Sequence, residues 1–216
     1  GYMVRYRWYL LLTKKNIDHI FSQISTLTFS NNKKKGFKIE HKSKYSISGT
    51  FYHISSLYQD NLKIELLNAI QFSISLIKGS IYLRLQDPTR SIKELSNTLF
   101  ELCDLDLAFD PVSISFDNIK NWILSRNYYA ILNLVKISNL KITDNIFSEI
   151  ILKSDNEIKL LELDILKSKQ YTIHSMSWSI VISGRNYRIS ISKLGLINIS
   201  EYLVLDFIDY IESKIL

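Results

Sequence analysis

The sequence predicts an α+β protein in which an N-terminal ferredoxin-like βαββαβ unit precedes a four-stranded antiparallel meander and a closing C-terminal helix. Segments with apolar residues at every second position alternate with segments in which apolar residues recur at the helical spacing of three to four. Short polar turns separate the strand-like segments of the last third. The chain has 216 residues and is 46% hydrophobic, which is enough for one sizeable core or two small ones.

The N-terminal unit is predicted from the order of its periodic segments. One helix has apolar residues at the 3–4 spacing from Leu62 to Ile77, with Asp60 or Asn61 as its N-cap and Gly79 as its C-terminal stop. In a ferredoxin-like unit the first and third strands are adjacent and central. The predicted elements are strands over 3–12, 36–40, 44–54 and 80–86 and helices over 16–27 and 61–78.

The chain is predicted to change organisation at Asp87-Pro88, so we expect a basic unit over 1–87 and a second region over 88–216, or one continuous domain. Ser200 is the expected N-cap of the closing helix. The predicted elements of the second region are helices over 89–102 and 118–125, a short strand over 112–116, strands over 147–153, 157–166, 171–183 and 187–193, and the final helix.

Positive charge is concentrated at the N-terminus. Residues 1–50 contain ten Lys or Arg and two Asp or Glu, whereas the remaining residues contain seventeen and nineteen. Such asymmetry favours an anionic partner. The alternative is that the lysines only keep the surface soluble.

The basic residues and one tyrosine are predicted to form a nucleic-acid-binding face. On adjacent central strands, cations would contact phosphates and exposed rings would stack on unpaired bases, in a way that is similar to RNA-recognition modules. The predicted binding residues are Arg5, Arg7, Tyr9, Lys33, Lys34, Lys35, Lys38, Lys42 and Lys44.

A second candidate site is the sequence His53-Ile54-Ser55. It resembles one His-x-Ser/Thr motif of the 2H phosphoesterases, which implies that His53 would be an acid or base and that the Ser55 hydroxyl would hold a phosphate, without a metal. The family has two such motifs. Pro111-Val112-Ser113 lies at the position of the second motif but has no histidine. We therefore expect no catalysis at His53.

Several other kinds of site are not expected from the sequence. Six glycines and no glycine-rich phosphate loop argue against nucleotide cofactors, and one cysteine leaves no zinc spacing, so neither a cofactor nor a metal is predicted. Asp104, Asp106 and Asp110 are interpreted as a solvated helix end and loop. The single cysteine, with no evident signal peptide or transmembrane segment, favours a cytoplasmic protein that does not bind membranes.

The sequence therefore predicts a non-catalytic protein that binds RNA or DNA through a basic N-terminal face. A protein-interaction subunit, such as an immunity, antitoxin or defence-complex protein, is the first alternative, because such a protein needs no catalytic motif. A metal-independent phosphoesterase is the second. Only three alanines, six glycines and two prolines occur, a bias typical of AT-rich genomes and common in mobile elements and defence systems.

Overall fold

The computed structural model describes residues 2–30, 32–89 and 91–216, and these residues form an α+β structure. They contain eleven strands, which pair antiparallel, and four α-helices. In chain order the elements are β1 (Met3–Leu12), α1 (Ile17–Thr26), β2 (Lys35–Lys42), β3 (Ser46–Gln59), β4 (Leu62–Ile77), β5 (Ser80–Gln86), α2 (Lys93–Leu102), β6 (Ala108–Pro111), α3 (Phe116–Ser125), β7 (Tyr129–Thr143), β8 (Ile146–Lys153), β9 (Thr172–Ile182), β10 (Arg185–Ser192), β11 (Ile197–Ser200) and α4 (Val204–Tyr210).

The chain divides into two compact units by its internal contacts. Tyr6–Val112 is called here the N-terminal unit. Ser113–Leu216, together with the residues that precede Tyr6, is called the C-terminal unit. Compactness does not measure independent folding, so the expected division at residue 87 stays a prediction.

In the N-terminal unit, consecutive strands β2, β3, β4 and β5 pair as an antiparallel meander, and β1 pairs with β5 and β6. Helices α1 and α2 cover one face of these strands, and one core cluster joins both helices to the sheet. We call this the helix-covered face and the opposite side the open face. The largest fully buried side chains of the cluster are Phe37, Phe51, Ile20, Ile24, Ile47, Ile70, Ile74, Leu83 and Leu85.

The predicted first strand and first helix are confirmed. Asn16 caps α1, since its Oδ1 accepts a hydrogen bond of 2.9 Å from the backbone N–H of His19. The helix buries the apolar residues that recur at the helical spacing, from Ile17 to Ile24, against the sheet. Local signals were sufficient here because the cap and the periodicity indicate the same element.

The predicted helix over 61–78 is wrong, because this segment is the sixteen-residue strand β4. Asp60 and Asn61 have φ angles of 50° and 63°, which form a type I′ hairpin turn rather than an N-cap. Lys78 and Gly79, with φ angles of 49° and 83°, form the second two-residue turn. Turn residues at both ends of β4 are the same residue types that cap helices, so local chemistry did not distinguish the two structures.

This strand changes the topology, and the ferredoxin-like arrangement is not confirmed. β3 pairs with β2 and β4, whereas β1 pairs with β5, so the predicted adjacency of β1 and β3 is wrong. The β-α-β-β-α-β order needed a crossover helix before β5. With β4 extended, the chain instead reaches β5 through a tight hairpin.

The C-terminal unit contains α3, the strands β7, β9, β10 and β11 in that spatial order, and α4. The predicted strands β8, β9 and β10 are present, but β8 pairs with the other side of β7. The segment 157–166 is not a strand. Its backbone N–H at Ile158 donates to Leu132 O, and Lys141 N donates to Gln170 O, so the connection from β8 to β9 returns along the length of β7.

The closing helix is present, but its start differs from the prediction. Ser200 ends β11, and its Oγ accepts from Arg188 N instead of capping a helix. A short 3₁₀ turn then precedes α4, and a π-helical turn, Ile211–Ile215, follows it. The buried side chains of Phe207 and Ile211 place the apolar face of this segment in the core.

The two units share an order of helices and strands. Each has a helix, four strands that neighbour one another consecutively, and a second helix: α1, β2–β5 and α2 in one, and α3, β7, β9–β11 and α4 in the other. Strand β8 and the connection that follows it are the additional segment of the C-terminal unit.

We expect Gly49→Ala to destabilise the N-terminal unit. A Cβ at this position would overlap the carbonyl oxygen of Lys38, and the obstacle is backbone of the neighbouring strand. The free energy of unfolding should fall by about 2 kcal/mol or more in urea titrations. Ser56→Ala, on an exposed part of the same strand, is the control and should change it by less than about 0.5 kcal/mol. Equal stability of the two variants would contradict the close approach.

Asp206→Ala should destabilise the C-terminal unit through a buried tryptophan. Trp122 is fully buried, and its Nε1–H donates to Asp206 Oδ2 at 2.9 Å, so the variant leaves that donor without its acceptor. We expect a loss of about 1–3 kcal/mol in the free energy of unfolding. Asp206→Asn keeps an acceptor and should retain most of the stability. Asp209→Ala, on the same helix but exposed, is the control. An equal loss in its free energy of unfolding would contradict the role of the Trp122 hydrogen bond.

Candidate functional site

The open face of the N-terminal unit is polar, in contrast to the helix-covered face. Along β4, Ile70, Phe72 and Ile74 are buried in the core cluster, whereas the intervening Gln71 and Ser73 point to the other side. The same alternation holds in β3 and β5. One side of this sheet is therefore core and the other presents hydrogen-bonding groups.

Cross-strand register arranges these groups in rows. Each row crosses several strands, so its side chains are neighbours on one face. The first row is Lys38, Thr50, Gln71 and Gln86, and the second is His41, Ser48, Ser73 and Arg84; on β1 they end at the buried side chains of Tyr6 and Trp8. Each row begins with an exposed basic or titratable side chain on the edge strand β2.

A shallow polar pocket lies between the two rows. Its volume is about 170 Å³, and its lining includes Ser48, Gln71, Ser73, Arg84 and Gln86. The lining thus combines serine hydroxyls with amide and guanidinium groups. Donors and acceptors are both present, as base edges and phosphate oxygens require.

One carboxylate also lines this pocket. Glu40 lies at the irregularity in the β2–β3 register, and its Oε1 accepts a hydrogen bond of 3.4 Å from the Thr50 hydroxyl. Its negative charge opposes phosphate binding close to it. Because Glu40 itself lies on the β2 edge, a bound anion is expected away from this residue and nearer to Arg84.

The predicted lysines do not form one cluster. Lys33 and Lys34 are exposed in the loop before β2, and Lys38 is exposed on the open face. Lys35 lies on the other side and forms an ion pair of 3.7 Å with Glu101 of α2. The structure thus brings Lys38 to the polar rows and directs Lys35 towards a helix.

Two further lysines lie at the far end of β2. Lys42 is opposite Ile47, a core residue, so it is on the helix-covered side of the strand. Lys44 is in the following turn, and its Nζ lies 5.3 Å from the centre of the Tyr45 ring. Both side chains are exposed.

The predicted placement of Arg7 and Tyr9 on a solvent face is corrected. Tyr9 is 7% exposed and belongs to the core cluster, where its ring contacts Phe109 edge-on. Burial raises the pKa of Tyr9, an effect that Arg7 opposes. The Arg7 guanidinium lies 5.1 Å from the centre of the Tyr9 ring. The physical reason is that alternate residues of β1 face α1 and α2. Arg5 is exposed and belongs to the C-terminal unit.

Sequence reasoning missed the polar residues of β4 and β5. Gln71, Ser73 and Ser75 alternate with buried apolar residues, which is a period-two signal over seven residues. That signal was present in the sequence, but the 3–4 spacing that begins at Leu62 obscured it. Arg84 was missed because β5 was interpreted without its neighbours.

The His53–Ser55 pair lies on the helix-covered side of β3. The His53 ring stacks on Phe51 with centroids 5.8 Å apart. The Ser55 hydroxyl accepts a 2.9 Å hydrogen bond from Asn68 Nδ2, which also reaches the backbone oxygen of His53. These contacts hold the pair within the β3–β4 hairpin. The expected lack of catalysis at His53 stays a prediction.

The carboxylates around Cys103 have separate partners. Asp104 accepts from Lys15 at 3.1 Å and lies 3.7 Å from His19 Nε2, while Asp106 Oδ2 accepts from the backbone N–H of Lys14. Among residues 2–30, 32–89 and 91–216, no group of three or more His, Cys, Asp or Glu side chains is arranged to hold a metal ion.

No protein-family model matches the chain, and no curated protein is significantly similar to it. In the part of the chain that the structure describes, no helix combines the length and apolarity that crossing a bilayer requires.

Cys103 should be an unreactive thiol. Burial, followed by the charges of Asp104 and Asp106, raises its pKa to about 11. At pH 8 we expect its reaction with Ellman's reagent to be slower by about a hundredfold or more in the folded protein than in urea. Because the folded thiol keeps its proton to higher pH, its stabilising contribution is full below about pH 8.5 and is lost as the pH rises towards 11. Rapid labelling of the folded protein at pH 8 would contradict this assignment.

Proposed function

We propose that this protein binds single-stranded RNA or DNA across the open face of its N-terminal unit. The observation that supports this proposal is the arrangement of hydrogen-bonding rows that begin at the basic edge strand β2. The proposal keeps the ligand class expected from the charge asymmetry but moves the binding surface from β1 to strands β2–β5.

The arrangement matches the chemistry of an unpaired strand. Phosphates would lie along the exposed edge near Lys33, Lys34 and Lys38, where the sugar–phosphate backbone gains most from cations. The bases would lie over Gln71 and Gln86, whose amides donate to and accept from base edges. A duplex is the weaker fit, because its base edges would face each other rather than the sheet.

Aromatic residues also lie on this face. Tyr52 faces the open side opposite Gly36, and its ring stacks on Phe29 with centroids 5.0 Å apart. Tyr82 lies opposite Ser75, so the two polar rows separate it from Tyr52. Both side chains are half-buried, and we expect the exposed part of each ring to stack on a base.

The protein-interaction alternative is favoured by a different surface. The tip of the β3–β4 hairpin exposes several large aliphatic side chains, among them Leu62, which is 68% exposed. Exposed apolar groups of this kind are typical of protein contacts. The phosphoesterase alternative has less support, because the Ser55 hydroxyl is engaged by Asn68.

Replacement of the exposed lysines at the β2 edge should weaken binding and its salt dependence. In the Lys33→Ser, Lys34→Ser, Lys38→Ser variant, each lost phosphate contact should reduce the log–log salt slope by about 0.7, so by up to about two in all. Fluorescence anisotropy with labelled oligo(dT) and oligo(U) at several salt concentrations measures this slope. The control, Lys159→Ser, Lys167→Ser, Lys169→Ser, has the same charge change on exposed residues of the C-terminal unit.

A second variant tests whether the nucleic acid binds the open face or only the basic loop before β2. Gln71→Glu adds a negative charge at the middle of the first row with little change of shape, and it should reduce affinity by about tenfold. Gln170→Glu, exposed in the C-terminal unit, is its control. Equal affinity of wild type and Gln71→Glu would move the site away from this face. Absence of binding to either oligonucleotide at low salt would reject the proposal.

A further inference from the structure

The β3–β4 hairpin extends beyond its neighbouring strands. The pairing of β2 with β3 ends at His53, and the pairing of β5 with β4 begins at Gln71. Residues 54–67, which we call the arm, therefore have only β3–β4 pairing among the strands of the described chain. An isolated two-stranded hairpin is marginally stable in water, and a third or fourth strand stabilises it.

The arm has an apolar stripe on one face. The pairs Ser55–Leu66, Leu57–Ile64 and Gln59–Leu62 place four aliphatic side chains on the same side. These side chains are exposed: Leu57 by 53%, Leu62 by 68%, Ile64 by 38% and Leu66 by 42%. Exposed aliphatic residues beside an unpaired strand edge are typical of a site where another strand adds.

The outer edge of β4 is complementary to itself. The sequence Leu62-Lys63-Ile64-Glu65-Leu66 becomes its own match when a second copy is placed antiparallel to it about Ile64. Leucine then faces leucine, isoleucine faces isoleucine, and Lys63 of each copy faces Glu65 of the other. Opposite charges directly across an antiparallel pair are stabilising, and like charges are destabilising.

The backbone N–H and C=O groups that this pairing needs point away from β3. Across a two-residue type I′ turn, the flanking residues Gln59 and Leu62 exchange hydrogen bonds, so the N–H and C=O groups of alternate β4 residues point away from β3. Those residues are Lys63 and Glu65. In the register about Ile64, they face each other in the two copies and exchange both backbone hydrogen bonds.

We propose that the β4 edges of two copies of this protein pair antiparallel about Ile64 and form a twofold-symmetric dimer. The two arms make a four-stranded sheet in the order β3, β4, β4, β3. Its apolar stripe joins the Leu57, Leu62, Ile64 and Leu66 side chains of both copies on one face. The same patch serves both partners, as a twofold interface requires.

Charge exchange at the arm tests the proposed register. In Lys63→Glu alone or Glu65→Lys alone, like charges face each other twice in the dimer, so the dissociation constant measured by analytical ultracentrifugation should rise by roughly tenfold or more. The double exchange Lys63→Glu, Glu65→Lys should restore dimerisation. Mixing the two single variants should give a heterodimer, because each positive arm then faces a negative one.

The mixing experiment distinguishes this contact from an effect within one chain. Lys63 and Glu65 also form an intrachain ion pair of 3.8 Å, which both single variants lose and mixing does not restore. Recovery of dimer on mixing therefore supports pairing between copies. A wild-type protein that stays monomeric at high micromolar concentration overturns the proposal, as does a dimer that the single variants leave unchanged.

Cysteine cross-linking tests whether Ile64 lies at the centre of the paired β4 strands. Ile64→Cys places two thiols directly opposite in a non-hydrogen-bonded pair, where cross-strand distances permit a disulfide, and a covalent dimer should form under mild oxidation. Leu57→Cys is the matched control, because strands β3 of the two copies would lie about 14 Å apart. The native Cys103 is buried. Equal cross-linking of both variants, or of neither, overturns the register.

Discussion

The two-sided alternation of β4 is the constraint on which the N-terminal unit depends. Ile70, Phe72 and Ile74 complete the core beneath α1 and α2, and the residues between them make the open face. A shift of one residue in this strand would exchange the two faces and bury the glutamine and serine side chains under the helices. The core and the proposed binding face are therefore two consequences of one register, held at both ends of β4 by two-residue turns.

The lysines of the β2 edge have two physical roles. Lysine on an exposed edge strand prevents uncontrolled strand addition, because another chain would have to desolvate its charge. The same position makes the cations accessible to a polyanion that lies on the sheet. The arm presents the opposite case, since its β4 edge combines one positive and one negative charge with aliphatic residues. Charge thus blocks addition at β2, and at β4 it permits addition only in a matching register.

The proposed dimer and the proposed nucleic-acid interface use different parts of the same sheet. The arm comprises residues 54–67, whereas the polar rows cross β3 and β4 within 46–53 and 68–77. Strands β3 and β4 are continuous through both regions. A dimer through the arms would therefore join two open faces, each connected to the dimer contact by the β3–β4 hairpin of its own copy. Linking two binding faces in this way raises the effective concentration of the second after the first has bound.

The sequence alone determined the elements whose local signals agree. Strands β1 and β5, helix α1 and strands β8, β9 and β10 were predicted close to their observed bounds, because the apolar periodicity of each segment is clear. The compositional bias towards positive charge in residues 1–50 was also a property of the sequence alone. Tertiary structure decided which strands are neighbours and which face each cation occupies.

The physical reason is that these outcomes depend on pairing between distant residues. Asp60, Asn61 and Gly79 suit a helix end as well as a hairpin turn, and only packing of Ile70 and Phe72 against two helices selects the strand. Tyr9 became a core residue because its side of β1 faces α1 and α2. The segment 157–166 has strand-like alternation, but it forms the connection from β8 to β9, in which Ile158 N donates to Leu132 O of β7. Differences in intrinsic helix and strand propensity are smaller than the free energy gained by burying apolar side chains, so tertiary packing overrides them.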